Sequence, residues 1–307
     1  MREDKYSQTA LTTAFYRAYH AKIDHPKIFD DYLAFDLVGE TEYERIGLEM
    51  VAGFRAAAPQ AAAAFPDQAS TLAFMMQAMA PPSLTISRAR YTEDCLANAV
   101  YSGTDQYVIL GAGLDTFTFR NLNLSNDLWV LEIDHPATQE FKKDRLKKLG
   151  WQLPANTSFA AADFTKEDLV SVLKRSSLDK ARPSFFNWLG VTYYLPQDVV
   201  LSTLRDIAAS SAPGSMVVFD YFDTDILDPS KVPPRVYQVL TLAKQVGEPI
   251  QGLFDASILA EELDALGLDL QENLDAAAIE SRFYQERSDS YHACENAHFA
   301  CAVVKEN

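Results

Sequence analysis

The chain has 307 residues, 48% hydrophobic and 23% charged, which is ample apolar material for a buried core. Its 27 Lys and Arg against 43 Asp and Glu leave a formal charge of −16, which repels phosphate backbones and anionic lipid and tells against nucleic-acid and membrane partners. Its 3 cysteines form no CxxC pair, MREDKYSQTA lacks the apolar stretch of a secretory leader, and no apolar run approaches the roughly 20 residues that span a bilayer, so a cytoplasmic protein is expected.

Residues 1–103 read as helical, rich in Ala, Leu, Met and Glu and poor in Gly. In EYERIGLEMVAGFRAAA, Ile46, Met50, Val51 and Phe54 recur at helical spacing. Pro81-Pro82 is expected to break the pattern, and TEDCLANAVYSG to form a helix ending near Gly103.

After Gly103 short apolar runs alternate with helical stretches. The runs are YVIL (107–110), LWVLEI (128–133), SFAAA (158–162), FFNWLGV (185–191) and MVVFDYF (216–222). HPATQEFKKDRLKKLG has the marks of a helix, with Pro136 in its first turn, Lys147 and Lys148 near its end and Gly150 beyond it. A second helix is expected from Pro196 to about Ser211. This alternation predicts an α/β fold: a mostly parallel sheet, helices on both faces, and a ligand at the C-terminal ends of the strands. Residues 223–255 form a long polar stretch with Pro229, Pro233, Pro234 and Pro249, expected to be a functional, lid-like insertion. A last helix is expected at about 256–265, stopped by Gly267, and then two strands, SRFYQERSDS and NAHFACAVV.

YVILGAGLDTFTFR carries the chemical signal. Gly111-Ala112-Gly113 after a strand makes a tight turn where a ligand can approach bare backbone, although a turn holding no ligand would use the same glycines. The dinucleotide fingerprint needs a third glycine where this chain has Thr116, and Asp115 places a negative charge where a pyrophosphate would sit. Both argue against a nicotinamide dinucleotide and an NAD-dependent oxidoreductase, and for a ligand with positive charge, such as S-adenosyl-L-methionine with its ammonium and sulfonium. Glu132 and Asp134 end the second run about 20 residues on, where a carboxylate can accept bonds from ribose hydroxyls; Asp134 could equally cap the helix at Pro136. Asp163 and Phe164 end the third run, suited to an adenine amino group and ring, or to capping the helix beyond.

In order along the chain, TALTTAFYRA, FDDYLAF, ISRARYTED, YVILGAGLDTFTFR, LEIDHPATQEFKKDRL, AADF, WLGVTYYLP and SAPGSMVVFDYF resemble the leucine carboxyl methyltransferase family, and more closely its branch of small S-adenosyl-L-methionine-dependent O-methyltransferases. The resemblance implies a Rossmann-like class I methyltransferase fold, with a seven-stranded sheet whose last strand is antiparallel, an N-terminal helical cap (1–103) and a cofactor-binding core (104–307). It implies that Arg88 takes the cofactor's carboxylate, that Gly111, Ala112, Gly113 and Asp115 line its methionine part, that Asp134 with Glu132 takes the ribose, and that Asp163 with Phe164 takes the adenine. At Leu189 the family usually has Glu, between the Trp and Gly of its fourth-strand motif, so that contact is changed here. The activity implied is methyl transfer to a carboxylate or hydroxyl of a small molecule, in secondary metabolism. A protein or peptide C-terminal carboxylate as acceptor, and a cofactor-binding protein without turnover, are the alternatives.

The protein's part in such a reaction is alignment, so no obligatory catalytic side chain is expected. A carboxylate acceptor, with a pKa of about 4, needs no general base, whereas a phenol, at about 10, would benefit from one. Tyr193 and Tyr194 are expected to line the methyl site, with His292 entering from the last hairpin. Arg120 is expected to hold the first core helix to the cap. His292, Cys294, His298 and Cys301 are metal-binding residue types, but His298 and Cys301 point to opposite faces of a strand, so no metal is expected. Neither the acceptor nor the oligomeric state can be read from the sequence.

Overall fold

The computed structural model describes residues 6–120, 128–164, 166–245 and 247–306. The first residues of MREDKYSQTA, and Val246 within the expected lid, lie outside the described residues.

Among the described residues eight strands form one sheet: β1 (Gln106–Leu110), β2 (Trp129–Asp134), β3 (Thr157–Ala161), β4 (Ser184–Trp188), β5 (Met216–Asp223), β6 (Leu253–Phe254), β7 (Leu268–Leu274) and β8 (Ala297–Val304). The order is β3-β2-β1-β4-β5-β8-β7, with β6 pairing the end of β5. Pairing is parallel from β3 to β6, and β8 runs antiparallel to both β5 and β7. β1 and β4 are buried at every position, as expected of central strands covered on both faces.

Side-chain alternation divides the core in two. Tyr107 and Ile109 of β1 pack with the N-terminal helices, whereas Val108 and Leu110 face the opposite layer. The first layer includes α1 (Gln8–Ile23), α2 (Ala34–Val38), α3 (Glu40–Ala57), α4 (Pro59–Ala62), α5 (Gln68–Ala78) and α6 (Ala80–Tyr101). α6 packs directly on β4, β5 and β8, so the last cap helix is also a layer of the sheet. After the short α7 (Phe117–Arg120) comes α8 (Pro136–Leu149). The second layer is built from α9 (Leu169–Lys174), α10 (Gln197–Ser210) and, further on, α12 (Leu259–Asp264).

Two expectations about elements are corrected. Pro81 and Pro82 open α6 rather than break it, because the first helical turn has no N–H bonds to lose. The insertion at 223–255 contains α11 (Pro234–Gln245), whose Val236 is fully buried, and β6. At the C-terminus, β7 is LDLQENL, and Ser281–Phe283 end α13 (Ala276–Phe283), started by Asp275 accepting from Ala278 N. The Ala-rich start and the buried Ile279 favour that helix over the strand expected from SRFYQERSDS.

Candidate active site

A cavity of about 590 Å³, within the range of small-molecule sites, opens at the C-terminal ends of β1, β2 and β4. Arg88, Gly111, Ala112, Gly113, Asp115 and Asp134 all line it. Asp163, Phe164, Leu189 and Tyr194 line it too, so four separate strand ends and α6 converge on one space.

The glycine turn is tied to β2, with Gly111 N and Ala112 N both donating to Ile133 O at 2.8 and 3.1 Å. Gly111 has φ +70° and Gly113 φ +51°, in the left-handed region, and a Cβ on Gly111 would come within 2.4 Å of Val191 Cγ2. Asp115 accepts from Phe117 N at 2.7 Å, which caps α7 while its carboxylate faces the cavity. Thr116 is buried and bonds Asp31 of the cap, so the close backbone approach of a dinucleotide site is replaced by a side-chain contact. Arg120 pairs with Glu93 of α6 and lies 3.5 Å from Asp31, holding α7 to the cap as expected.

Arg88 is buried, and its Nη1 donates to Asp220 Oδ2 and to Tyr193 Oη, both at 2.7 Å. Burial alone would lower its pKa, but the charge of Asp220 and the bonds to Asp220 and Tyr193 hold it above its ordinary value. Among the described residues its Nε and Nη2 have no hydrogen-bond partner, so a guanidinium edge remains for a carboxylate. Asp220 Oδ1 accepts from Gly190 N at 2.6 Å. Gly190 has φ +72°, and a Cβ there would sit 2.5 Å from Arg88 Nη2. Gly190→Ala is therefore expected to cost about 1–3 kcal/mol in a urea titration and to weaken carboxylate binding at Arg88.

Asp134 Oδ2 accepts from Gly113 N, and its Oδ1 accepts from His135 N at 2.6 Å. It does not cap α8; that cap is His135, whose Nδ1 accepts from Ala137 N. Burial raises the Asp134 pKa, against the two backbone bonds, and the carboxylate lines the cavity. The structure does not bring Glu132 to the cavity. Glu132 is 1% exposed and pairs with Lys142 of α8, and burial, against the Lys142 charge, pushes its carboxyl up to about 7. Asp163 lies 3.4 Å from Lys166 Nζ, and α9 is capped by Asp168 instead, leaving Asp163 and Phe164 at the cavity wall.

Tyr194 lines the cavity, whereas Tyr193 lies behind it with its ring 4.6 Å from that of Tyr194. Burial pushes the Tyr194 phenol up to about 12 and that of Tyr193 well above its ordinary value, so neither serves as a base near neutrality. His292 is not in the cavity: it is exposed, with Nδ1 3.0 Å from Arg235, because the expected hairpin is a loop following α13. Over the cavity, Gln251 N donates to Tyr193 O at 2.8 Å and Glu248 accepts from Thr9 of α1.

Asp220, Thr92 and Asn187 belong to this region and were not singled out. Asp220 and Asn187 each interrupt an apolar run, a mark of a buried polar group, whereas Thr92 sits in a mixed helix and carries no such mark. The donor set fits S-adenosyl-L-methionine, with a free guanidinium edge for its carboxylate, acid for its cationic end, bare backbone for its approach and Asp134 for its ribose.

The sequence model of the family described as leucine carboxyl methyltransferase matches residues 10–208. The chain is 36% identical over 306 residues to YktD of Bacillus subtilis (strain 168), described as a candidate S-adenosyl-L-methionine-dependent methyltransferase, covering 99% of this chain and 100% of that one. A DUF574 family protein from Streptomyces avermitilis shares the fold at TM-score 0.53 and 18% identity, covering 79% of this chain and 92% of that one. A candidate methyltransferase from Thermobifida fusca does so at TM-score 0.53 and 17% identity, covering 79% and 90%.

Proposed function

Because the chain belongs to the leucine carboxyl methyltransferase family and is an S-adenosyl-L-methionine-dependent methyltransferase, we infer that it methylates a carboxylate or hydroxyl oxygen of a small molecule. The observation that carries this reading is the cavity itself, lined by Arg88, Asp115 and Asp134 and spanned by the contact between Thr9 of α1 and Glu248 of the 223–255 segment. A roof held by the Thr9–Glu248 contact favours a small acceptor over a protein chain terminus. Placement in secondary metabolism follows from the branch of the family that the motifs resemble, and the insertion at 223–255 is assigned the role of a lid.

When bound, the cofactor supplies the reactive methyl group; the protein supplies position. Arg88 holds the carboxylate end, Asp134 the ribose, and Asp163 with Phe164 the adenine. Tyr194 lines the cavity, where an aromatic ring favours a cationic sulfur. The two phenols stay protonated, which suits an acceptor already ionised at neutral pH, such as a carboxylate. Incubation with S-adenosyl-L-methionine and a panel of small carboxylic acids and phenols is expected to give methyl esters or ethers by mass spectrometry. Methylation confined to nitrogen would overturn the reading.

Asp134→Asn is expected to weaken S-adenosylhomocysteine binding about 10- to 100-fold by calorimetry, the worth of bonds to a charged acceptor. Wild-type affinity should fall as pH drops through the carboxyl range, because the raised pKa of Asp134 protonates it early, and the variant should lose that dependence.

A further inference from the structure

The cavity extends below the glycine turn. There Asn187 of β4 stands in register with Ile109 of β1, two residues before Gly111, and Thr92 lies one turn along α6 from Arg88. Both side chains line the cavity, and they are 6% and 1% exposed. Asn187 Nδ2 donates to Tyr107 Oη at 2.8 Å, but among the described residues Asn187 Oδ1 and Thr92 Oγ1 have no hydrogen-bond partner. Buried polar atoms without partners are uncommon, and two on the wall of one cavity point to a ligand that satisfies them.

The chemistry of the pair selects that ligand. An amide oxygen only accepts and a hydroxyl can accept, so the visitor must donate. Asp115, which lines the same cavity, favours positive charge. An ammonium carries three N–H donors and no acceptor. Four residues of helix rise about 6 Å and bring Thr92 to the same face of α6 as Arg88, so one bound molecule can meet both. We propose that Asn187 Oδ1 and Thr92 Oγ1 seat the α-ammonium of the methyl donor, with its carboxylate on the free edge of Arg88. The seat rests on the donor reading above and adds the partners of its second charge. It also places neutral oxygens one level below Leu189, where the resemblance led to an expected acid.

The test is calorimetric titration of wild type, Thr92→Val and Asn187→Leu with S-adenosylhomocysteine and with 5′-methylthioadenosine, which has the same nucleoside but no amino-acid end. Thr92→Val is close to isosteric and breaks no hydrogen bond among the described residues, so it should fold as wild type does in a thermal melt. Each variant is expected to bind S-adenosylhomocysteine about 10-fold more weakly while holding 5′-methylthioadenosine unchanged. Equal losses for both ligands, or no loss for either, would overturn the seat. A wild type that binds the two nucleosides equally overturns the seat and leaves the donor reading standing; one that binds neither overturns both.

Discussion

Arg88→Met is expected to lose about 3–5 kcal/mol in a urea titration and to bind S-adenosylhomocysteine at least about 10- to 100-fold more weakly. The two losses have different causes. Asp220 is fully buried and its charge is balanced by Arg88, so removing the guanidinium leaves a buried carboxylate that, among the described residues, keeps only the Gly190 N–H. The affinity loss comes from the other edge of the same group, where two parallel bonds to a carboxylate are no longer available. Arg88→Lys separates them. A lysine keeps the charge beside Asp220 but not the fork, so most of the stability should return while binding stays weak. If Arg88→Lys binds as tightly as wild type, the guanidinium edge is not a carboxylate site.

Lys142→Met should be comparably destabilising, by about 3–5 kcal/mol, although Lys142 lies outside the cavity. Glu132 and Lys142 are both about 1% exposed and pair with each other under β2. Without the ammonium, Glu132 must either stay ionised in an apolar setting or take up a proton. In wild type its carboxyl already lies near 7 rather than 4.5, so the folded protein holds a proton there that the unfolded chain has released. Stability therefore falls as pH rises from about 4.5 through 7, because the native state binds more protons over that window. Lys142→Met removes the opposing charge, so the fall should continue to higher pH. The double change Glu132→Leu with Lys142→Met should recover much of the loss and flatten the profile, as apolar replacements of buried pairs often do. Urea titrations at several pH values measure both effects; a flat profile in wild type would show that Glu132 stays ionised.

The strands that build the site were legible because central parallel strands read as mostly apolar runs, and β1, β2, β4 and β5 all carry that mark. The glycine turn, Asp134 and the convergence at the strand ends were legible for the same reason: chemistry there is local to each strand's end. What failed was non-local. Glu132 and Asp134 are two residues apart and share a face, and only the arrival of Lys142 from α8 assigns one of them to the interior. His292 was placed in the cavity by a hairpin that does not form, because AAAIESRF is a capped helix and the polar LDLQENL supplies the strand instead. Thr92 and Asn187 are each unremarked within their own segments; α6 and β4 must be packed together before their oxygens share a wall.

Tyr193 gives its phenol oxygen to Arg88 and its carbonyl oxygen to Gln251 of the roof. Nearby, a Cβ on Gly252 would come within 2.4 Å of Thr192 O and 2.5 Å of Leu195 O, so the backbone there lies hard against the segment that carries Tyr193. Remodelling that segment to admit a new acceptor would be transmitted to Arg88, the residue assigned above to the donor's carboxylate. In such an architecture, substrate range and donor affinity are not independent traits, and laboratory evolution toward one should drag the other with it.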